Sequence, residues 1–302
     1  MIDIAIIGGG PSGLTAGIYG GRAGLNTVVF EKTFSGGQMA FTNEIENYPG
    51  IEKIAGSELG ILMENQAKKF DVDIKNEEIK SIKKNDNIFE LETSSGVYEA
   101  KTVILSMGAS PRTLGIESET RLRGMGVSYC ATCDGSFYKG MDVAVIGGGN
   151  TAFEDAIYLS RICNKVYLIH RRDEFRADDI LQKEAKGIEN IEIIVNSVVD
   201  DIIGKFEVDA VKVKNVKNDE IREIPVSGVF VAVGTIPNSG LVKDVVKLDD
   251  YGYIMTDKNM KTSVDGIYAI GDIRDTVLRQ VVTACADGAV ATMSAQQYIR
   301  GC

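Results

Sequence analysis

Cys130-Ala131-Thr132-Cys133, followed at once by Asp134 and Gly135, is the segment of this sequence best equipped for chemistry. Two thiols separated by two residues close a small disulfide ring that opens and closes without large backbone movement, which suits two-electron exchange. Zinc competes for such a spacing, but a structural zinc site needs four ligands. The chain has no second Cys-x-x-Cys, and its one histidine, His170, belongs to another motif. No metal site is expected, and a single histidine also argues against a Ser-His-Asp or Cys-His hydrolase. The remaining cysteines are scattered: Cys163 and Cys285 read as packing residues and Cys302 as a frayed tail. No basic lead-in, apolar h-region or cleavage site marks the N-terminus, so the expected compartment is the reducing cytoplasm. There a close cysteine pair reads as redox-active, not as a structural staple.

Redox thiols need an electron source, and two glycine motifs offer sites for one. Gly8-Gly9-Gly10-Pro11-Ser12-Gly13 follows an apolar run at 2–7 and opens a helical pattern from about 13 to 21; a second apolar run at 26–30 ends at Glu31. In that context the glycines permit a tight turn and a close approach to a pyrophosphate, which sits at the helix N-terminus. Glu31 is placed to accept hydrogen bonds from a ribose 2′-OH and would repel a phosphate there. The second motif, Gly147-Gly148-Gly149-Asn150-Thr151-Ala152, lies between a strand pattern at 143–146 and a helical one at about 151–162, with another strand at 165–169. Its last glycine is replaced by alanine, a known variant of the fingerprint. Where the first copy has Glu31, the second has His170-Arg171-Arg172, with Arg176 a turn later. Planar cationic forks there favour a 2′-phosphate, hence NADPH over NADH. Both the first glycine and the residue closing the second strand recur at one offset of 139 residues (147 − 8 and 170 − 31). Two βαβ units in the same internal register point to a duplicated architecture.

The elements that must position these motifs are legible in outline. A chain of 302 residues holds two domains with cores of their own. A hydrophobic share of 44% with 25% charged residues is ordinary for a soluble globular protein, and a net charge of −10 argues against a nucleic-acid partner. No stretch approaches the roughly 20 apolar residues that span a bilayer, so no membrane partner is expected. Residues 77–91 and 97–105 alternate and read as antiparallel strands, 251–272 return to a strand pattern, and 280–299 read as a long final helix. Continuous apolar strands at 102–108 and 228–234 each stop at glycine, and Pro111 and Pro237 follow as crossing points. The expected fold class is α/β, with two Rossmann-like dinucleotide-binding domains, one inserted into the other. The outer, discontinuous domain is placed at 1–114 plus 244–302, and the inserted domain, carrying the cysteine pair, at 115–243.

Gly266-Ile267-Tyr268-Ala269-Ile270-Gly271-Asp272 is a short apolar strand ending in a carboxylate suited to a hydroxylated linker such as a ribityl chain. Together with Ser35-Gly36-Gly37-Gln38, Glu44-Ile45-Glu46-Asn47-Tyr48-Pro49-Gly50 and Arg279-Gln280-Val281-Val282, it resembles the FAD segments of the low-molecular-weight thioredoxin reductases. These belong to the pyridine nucleotide-disulfide oxidoreductases, and the resemblance covers essentially the whole chain. It implies FAD in the outer domain, held by Gly8, Gly10, Pro11, Ser12, Gly13, Glu31, Lys32, Gly37, Gln38, Asn47, Gly271, Asp272, Arg279, Gln280 and Val281. Gln38 and Asn47 would lie by the isoalloxazine, and the helix end at Gln280 and Val281 would approach N1/O2, favouring negative charge there. It implies NADPH in the inserted domain, on Gly147, Gly149, Asn150, Thr151 and Ala152, with the 2′-phosphate on His170, Arg171, Arg172 and Arg176. It further implies that Cys133 faces the flavin, that Cys130 is the attacking thiolate, and that the protein is a homodimer. Asp134 is then the natural acid, given a pKa raised by partial burial.

The implied reaction is reduction of oxidised thioredoxin by NADPH through FAD and the cysteine pair. Nicotinamide and disulfide both belong to the inserted domain and both must reach the flavin. Rotation of that domain about the crossings near 111–116 and 237–243 is therefore expected between half-reactions. Three alternatives stay open. The electrons could come from ferredoxin or pass to oxygen without NADPH, which the intact second fingerprint and its arginines disfavour. The acceptor could be a peroxidase or a glutaredoxin-like carrier. A non-catalytic nucleotide-binding regulator is the third, and the cysteine pair argues against it.

Overall fold

The computed structural model describes residues 1–42 and 44–301, so Cys302 lies outside the described residues. With almost no polar position, Ile-Asp-Ile-Ala-Ile-Ile forms strand β1 (Ile2–Ile7), buried along nearly its whole length. The glycine turn leads into α1 (Pro11–Arg22), where Pro11 takes a first-turn position that needs no N–H, and then β2 (Thr27–Glu31). α2 (Gly56–Lys68) and β3 (Asp73–Asn76) complete a parallel run. The expected strand over 77–91 is a hairpin instead, β4 (Ser81–Asn85) and β5 (Ile88–Glu92). Asp86, at φ +53°, and Asn87 supply the two-residue turn that splits it. β6 (Val97–Leu105) then joins β1 in parallel, giving the order β3-β2-β1-β6-β5-β4.

The chain leaves this sheet through β7 (Ala109–Pro111). It continues as α3 (Glu117–Arg121), β8 (Val127–Ser128), α4 (Ala131–Asp134), β9 (Asp142–Ile146), α5 (Asn150–Ser160), β10 (Lys165–Ile169), α6 (Asp179–Lys186) and β11 (Ile191–Ile194). Strands β12 (Ser197–Ile203), β13 (Ala210–Asn215) and β14 (Ile221–Pro225) form an antiparallel sheet, and β15 (Gly228–Val231) re-enters the parallel one in the order β11-β10-β9-β15-β8. β16 (Thr235–Pro237) brings the chain back, paired with β7. The return ends in β17 (Ile267–Ala269), parallel to β6, and the 20-residue α7 (Val281–Arg300). Of the strands expected over 251–272 only β17 is regular. Asp249 takes the N–H groups of Tyr251 and Tyr253, and Asp257 those of Asn259 and Lys261, so side chains replace the ladder there.

Two compact units result, residues 1–110 with 236–302, and residues 111–235. In the first, Phe30, Phe89 and Leu105 pack on one face of the sheet, and Ile4, Ile6, Ile104 and Tyr268 on the other. α7 is tied to α1 by the Thr292 hydroxyl donating to the Ala16 carbonyl at 3.1 Å. In the second, Val145, Phe153, Leu168 and Phe230 form one core. The antiparallel sheet covers the opposite face, with Val211 and Ile224 against Ala144 and Ile146. Phe153, fully buried in α5 and edge-on to Phe175 at 5.0 Å, fixes the helix that follows the second glycine turn. Phe153→Ala is expected to cost the unfolding transition of the second unit about 3–5 kcal/mol, read from denaturant or calorimetric curves.

Candidate active site

Each unit ends its central strand in a glycine that presses against the neighbouring strand. A Cβ on Gly8, which sits at φ +109°, would lie 2.4 Å from the Ser106 carbonyl oxygen; one on Gly147 would lie 2.3 Å from that of Ala232. Gly10 and Gly149, by contrast, face open space, leaving the helix N-termini of α1 and α5 accessible to a pyrophosphate. At the next position the units diverge in chemistry and keep their geometry. Glu31 lies on Gly9, whose N–H it accepts at 2.7 Å, and its other oxygen takes the N–H and hydroxyl of Thr33. His170 lies on Gly148 in the same way, and its Nε2 is 3.2 Å from the Glu174 carbonyl. The segment after His170 folds back over the second turn: Arg176 donates its N–H to the Gly148 carbonyl, and Asn150 exchanges two hydrogen bonds with Asp178. Arg171, Arg172 and Arg176 are exposed and form no ion pair among the described residues, which fits a phosphate as their partner. Burial, reinforced by those three arginines, holds His170 below the ordinary imidazole range.

The rest of the first nucleotide site comes from distant parts of its unit. Gly36 bonds Gly9, and Gly37 packs on Gly10. Gly271 lies against Ser12 and is fixed by its N–H to Asp287 at 3.0 Å, a carboxylate that also pairs with Arg274. The Asp272 carboxyl is pushed up by burial and has no hydrogen-bond partner among the described residues. Arg279 stacks on Tyr253, its Nε buried with no partner among the described residues. Asn47 donates to Gln280 at 3.1 Å, and Gln280 caps α7 in a reciprocal box with Thr283, leaving Val281 as the first helical residue. Gln38 lies in the 3-10 turn Gly37–Phe41, and Lys32 is a surface partner of Glu78. Open glycine backbone, an unpartnered carboxyl and an unpartnered guanidinium nitrogen fit a large polar cofactor such as FAD.

Cys130 and Cys133 are joined in a disulfide with Cα atoms 5.3 Å apart, both half-buried, at the start of α4. Ser128, two residues ahead, accepts the Cys130 N–H at 3.0 Å and bonds Asp134 Oδ2 at 2.6 Å. Asp134 Oδ1 is buried with no partner among the described residues. Burial pushes the Asp134 carboxyl up, and the Ser128 hydrogen bond partly opposes it. A carboxyl so placed holds a proton more tightly than a free aspartate, as an acid for thiolates must. Ser128, Asp287 and Tyr253 lie outside the sequence motifs; only the position of Ser128 beside the cysteines hinted at a role. Glu119 was not expected either. It is 1% exposed and accepts the N–H groups of Leu114 and Gly115 and the hydroxyl of Tyr129, next to Cys130. Cys163 is buried in the core, and Cys285 lies 3.9 Å from the Tyr48 hydroxyl.

Two nucleotide turns and one disulfide in a single chain define a nucleotide-linked disulfide oxidoreductase. The chain belongs to the pyridine nucleotide-disulphide oxidoreductase family, whose model matches residues 2–288. It is 43% identical over 306 residues to a thioredoxin reductase of Peptoclostridium acidaminophilum, covering 99% of this chain and 97% of the relative. The crystal structure of thioredoxin reductase from Streptococcus pyogenes is 42% identical and superposes with a TM-score of 0.96 over 100% of this chain and 99% of that one. That of Lactococcus lactis thioredoxin reductase in its FR conformation is 38% identical, with a TM-score of 0.69 over the whole of both chains.

One carboxyl near the second turn gives a stability signature. Asp155 in α5 is pushed up to about 7, first by burial and then by Glu154 beside it. Unfolding lets it ionise at its ordinary value, so the folded state loses stability as pH rises between these two values and bears the full cost above the higher one. Asp155→Asn is therefore expected to raise the melting temperature above about pH 7 and to converge with the parent near pH 4.

Proposed function

We propose that the protein passes two electrons from NADPH, through FAD and the Cys130–Cys133 disulfide, to an oxidised thioredoxin. The observation that carries this reading is the half-exposed disulfide, formed in the same unit as an arginine-lined nucleotide turn. The first unit is assigned to FAD and the second to NADPH. FAD, when bound, supplies the exchange of a hydride for the electron pair that a disulfide accepts.

The chain's own residues bind, orient and move protons. The amides after Gly8 and Gly147 receive the two pyrophosphates. Glu31 and Asp272 hold hydroxyl groups of the flavin nucleotide, and Arg171, Arg172 and Arg176 take the 2′-phosphate of NADPH. Asn47 and Gln280, already bonded to each other, orient the ring end of the flavin. Cys133 would be the sulfur that takes the electron pair from the flavin, and Cys130 the thiolate that attacks the disulfide of the protein substrate. Asp134 supplies the proton that a departing or flavin-side thiolate needs.

The nicotinamide and the disulfide belong to one unit, so the second unit rotates between half-reactions. The two crossing segments are joined to each other by backbone bonds that include Asn238 to Gly108 in the first unit and Arg112 to Gly234 in the second. No described helix is long and apolar enough to cross a membrane. The reducing cytoplasm suits the chemistry, and a homodimer would cover apolar side chains such as Ile61 and Leu62, exposed on α2.

Replacing both cysteines, Cys130→Ser with Cys133→Ser, is expected to abolish thioredoxin reduction in an NADPH-coupled assay while NADPH still bleaches the flavin. Full turnover by that variant would remove the disulfide from the pathway. Arg171→Ala with Arg172→Ala is expected to raise KM for NADPH at least tenfold, about 1.4 kcal/mol, with kcat nearly unchanged and NADH use unaffected.

A further inference from the structure

We propose that the Ser128 hydroxyl positions Asp134 for proton transfer to the cysteine pair by offering its carboxyl a hydrogen bond in both protonation states. The inference rests on the reading of Asp134 as the acid. Ser128 closes β8 and is 5% exposed. Its oxygen accepts the Cys130 N–H at 3.0 Å and lies 2.6 Å from Asp134 Oδ2 and 3.3 Å from the Cys130 carbonyl oxygen. A hydroxyl has one proton to donate, so these two acceptors are alternatives. With Asp134 ionised, the hydroxyl donates to Oδ2, a short charge-assisted bond. With Asp134 protonated on Oδ2, the carboxyl donates to the hydroxyl oxygen, and the hydroxyl proton turns to the Cys130 carbonyl. The Cys130 N–H bond persists in both states, and the switch needs only rotation of a hydroxyl.

The step balances. The electron pair delivered from NADPH by way of FAD breaks the Cys130–Cys133 bond and leaves two thiolates. The proton of Asp134 passes to one of them, and the new carboxylate takes the bond from Ser128 until solvent returns a proton.

Other ionisable groups surround Asp134. Cys130 and Cys133 share its turn. Tyr138 follows in the next turn, its phenol pushed up to about 12 by burial, then by Asp134 and Glu207. Tyr158 of α5 packs on Gly135, and α5 also carries Glu154 and Asp155. A test must separate Ser128 from these neighbours.

The experiment measures the pH dependence of kcat with saturating NADPH and thioredoxin for the parent, Ser128→Ala, Ser128→Thr, Asp134→Asn and Asp155→Asn. Infrared spectra of the oxidised, aspartate-labelled proteins are recorded in parallel. The protonated-carboxyl band lost in Asp134→Asn reports Asp134 without turnover. Without the donated bond the ionised form is disfavoured, so in Ser128→Ala the high-pH limb and the band should both move up by about one pH unit, a tenfold change in the protonation equilibrium. Ser128→Thr should restore the parent position, and Asp155→Asn should leave the limb in place. A limb and band unmoved in Ser128→Ala, or a limb that moves with Asp155→Asn instead, overturns the proposal. Should Ser128→Ala fold poorly, a displaced band in Ser128→Thr, which keeps the hydroxyl, does the same. Parent-like turnover by Asp134→Asn overturns the acid assignment itself. An inactive Asp134→Asn beside an unmoved Ser128→Ala overturns the Ser128 inference alone.

Discussion

The close approach of a glycine turn to the adjacent strand, made at Gly8 against Ser106 and again at Gly147 against Ala232, is the constraint on which the rest depends. Any side chain there would collide with a carbonyl oxygen, so the turn stays tight and the following helix starts hard against the sheet. The open N–H groups of that first helical turn are what a pyrophosphate binds. Because both units meet the same constraint, both present a nucleotide cradle at the carboxyl ends of their parallel strands. That is where ligands of open α/β sheets bind.

From that shared frame the two sites differ by a few charges. Glu31 and His170 occupy equivalent places, each lying on the middle glycine of its turn. The carboxylate in the first satisfies backbone and a neighbouring threonine, whereas the second is followed by three arginines that form no ion pair among the described residues. Duplication thus accounts for the shared geometry, and substitution at the strand end for the difference in charge. The disulfide sits in the second unit on a short helical turn, where the half-buried Asp134 carboxyl is hydrogen-bonded to the buried Ser128 hydroxyl. Full exposure would remove the burial that pushes the Asp134 carboxyl up.

Much of this was legible because motifs with a local mechanism write themselves into adjacent residues. The two fingerprints, the Glu31-to-His170 exchange, the cysteine spacing and the long final helix all depend on short-range pattern. What stayed hidden depends on distant partners. Asp287 fixes Gly271 across 16 residues, and Tyr253 stacks under Arg279 across 26, and no periodicity marks either pair. Alternation over 77–91 concealed a hairpin because Asp86-Asn87 carries no glycine to announce its turn. The strands expected over 251–272 gave way to carboxylate-capped turns, since Asp249 and Asp257 compete for the same amides a ladder would use. Ser128 was hidden for another reason: its role rests on a hydroxyl lying between a peptide and a carboxyl six residues on, which spacing alone does not reveal.

The mechanism requires that the cysteine pair store electrons in series with the flavin. Anaerobic titration of the FAD-loaded protein with NADPH, followed by flavin absorbance, counts the stored equivalents. The parent should need about two equivalents for full bleaching, one for the flavin and one for the disulfide, and the double serine variant about one. A parent that bleaches fully with one equivalent and keeps its disulfide oxidised would contradict it.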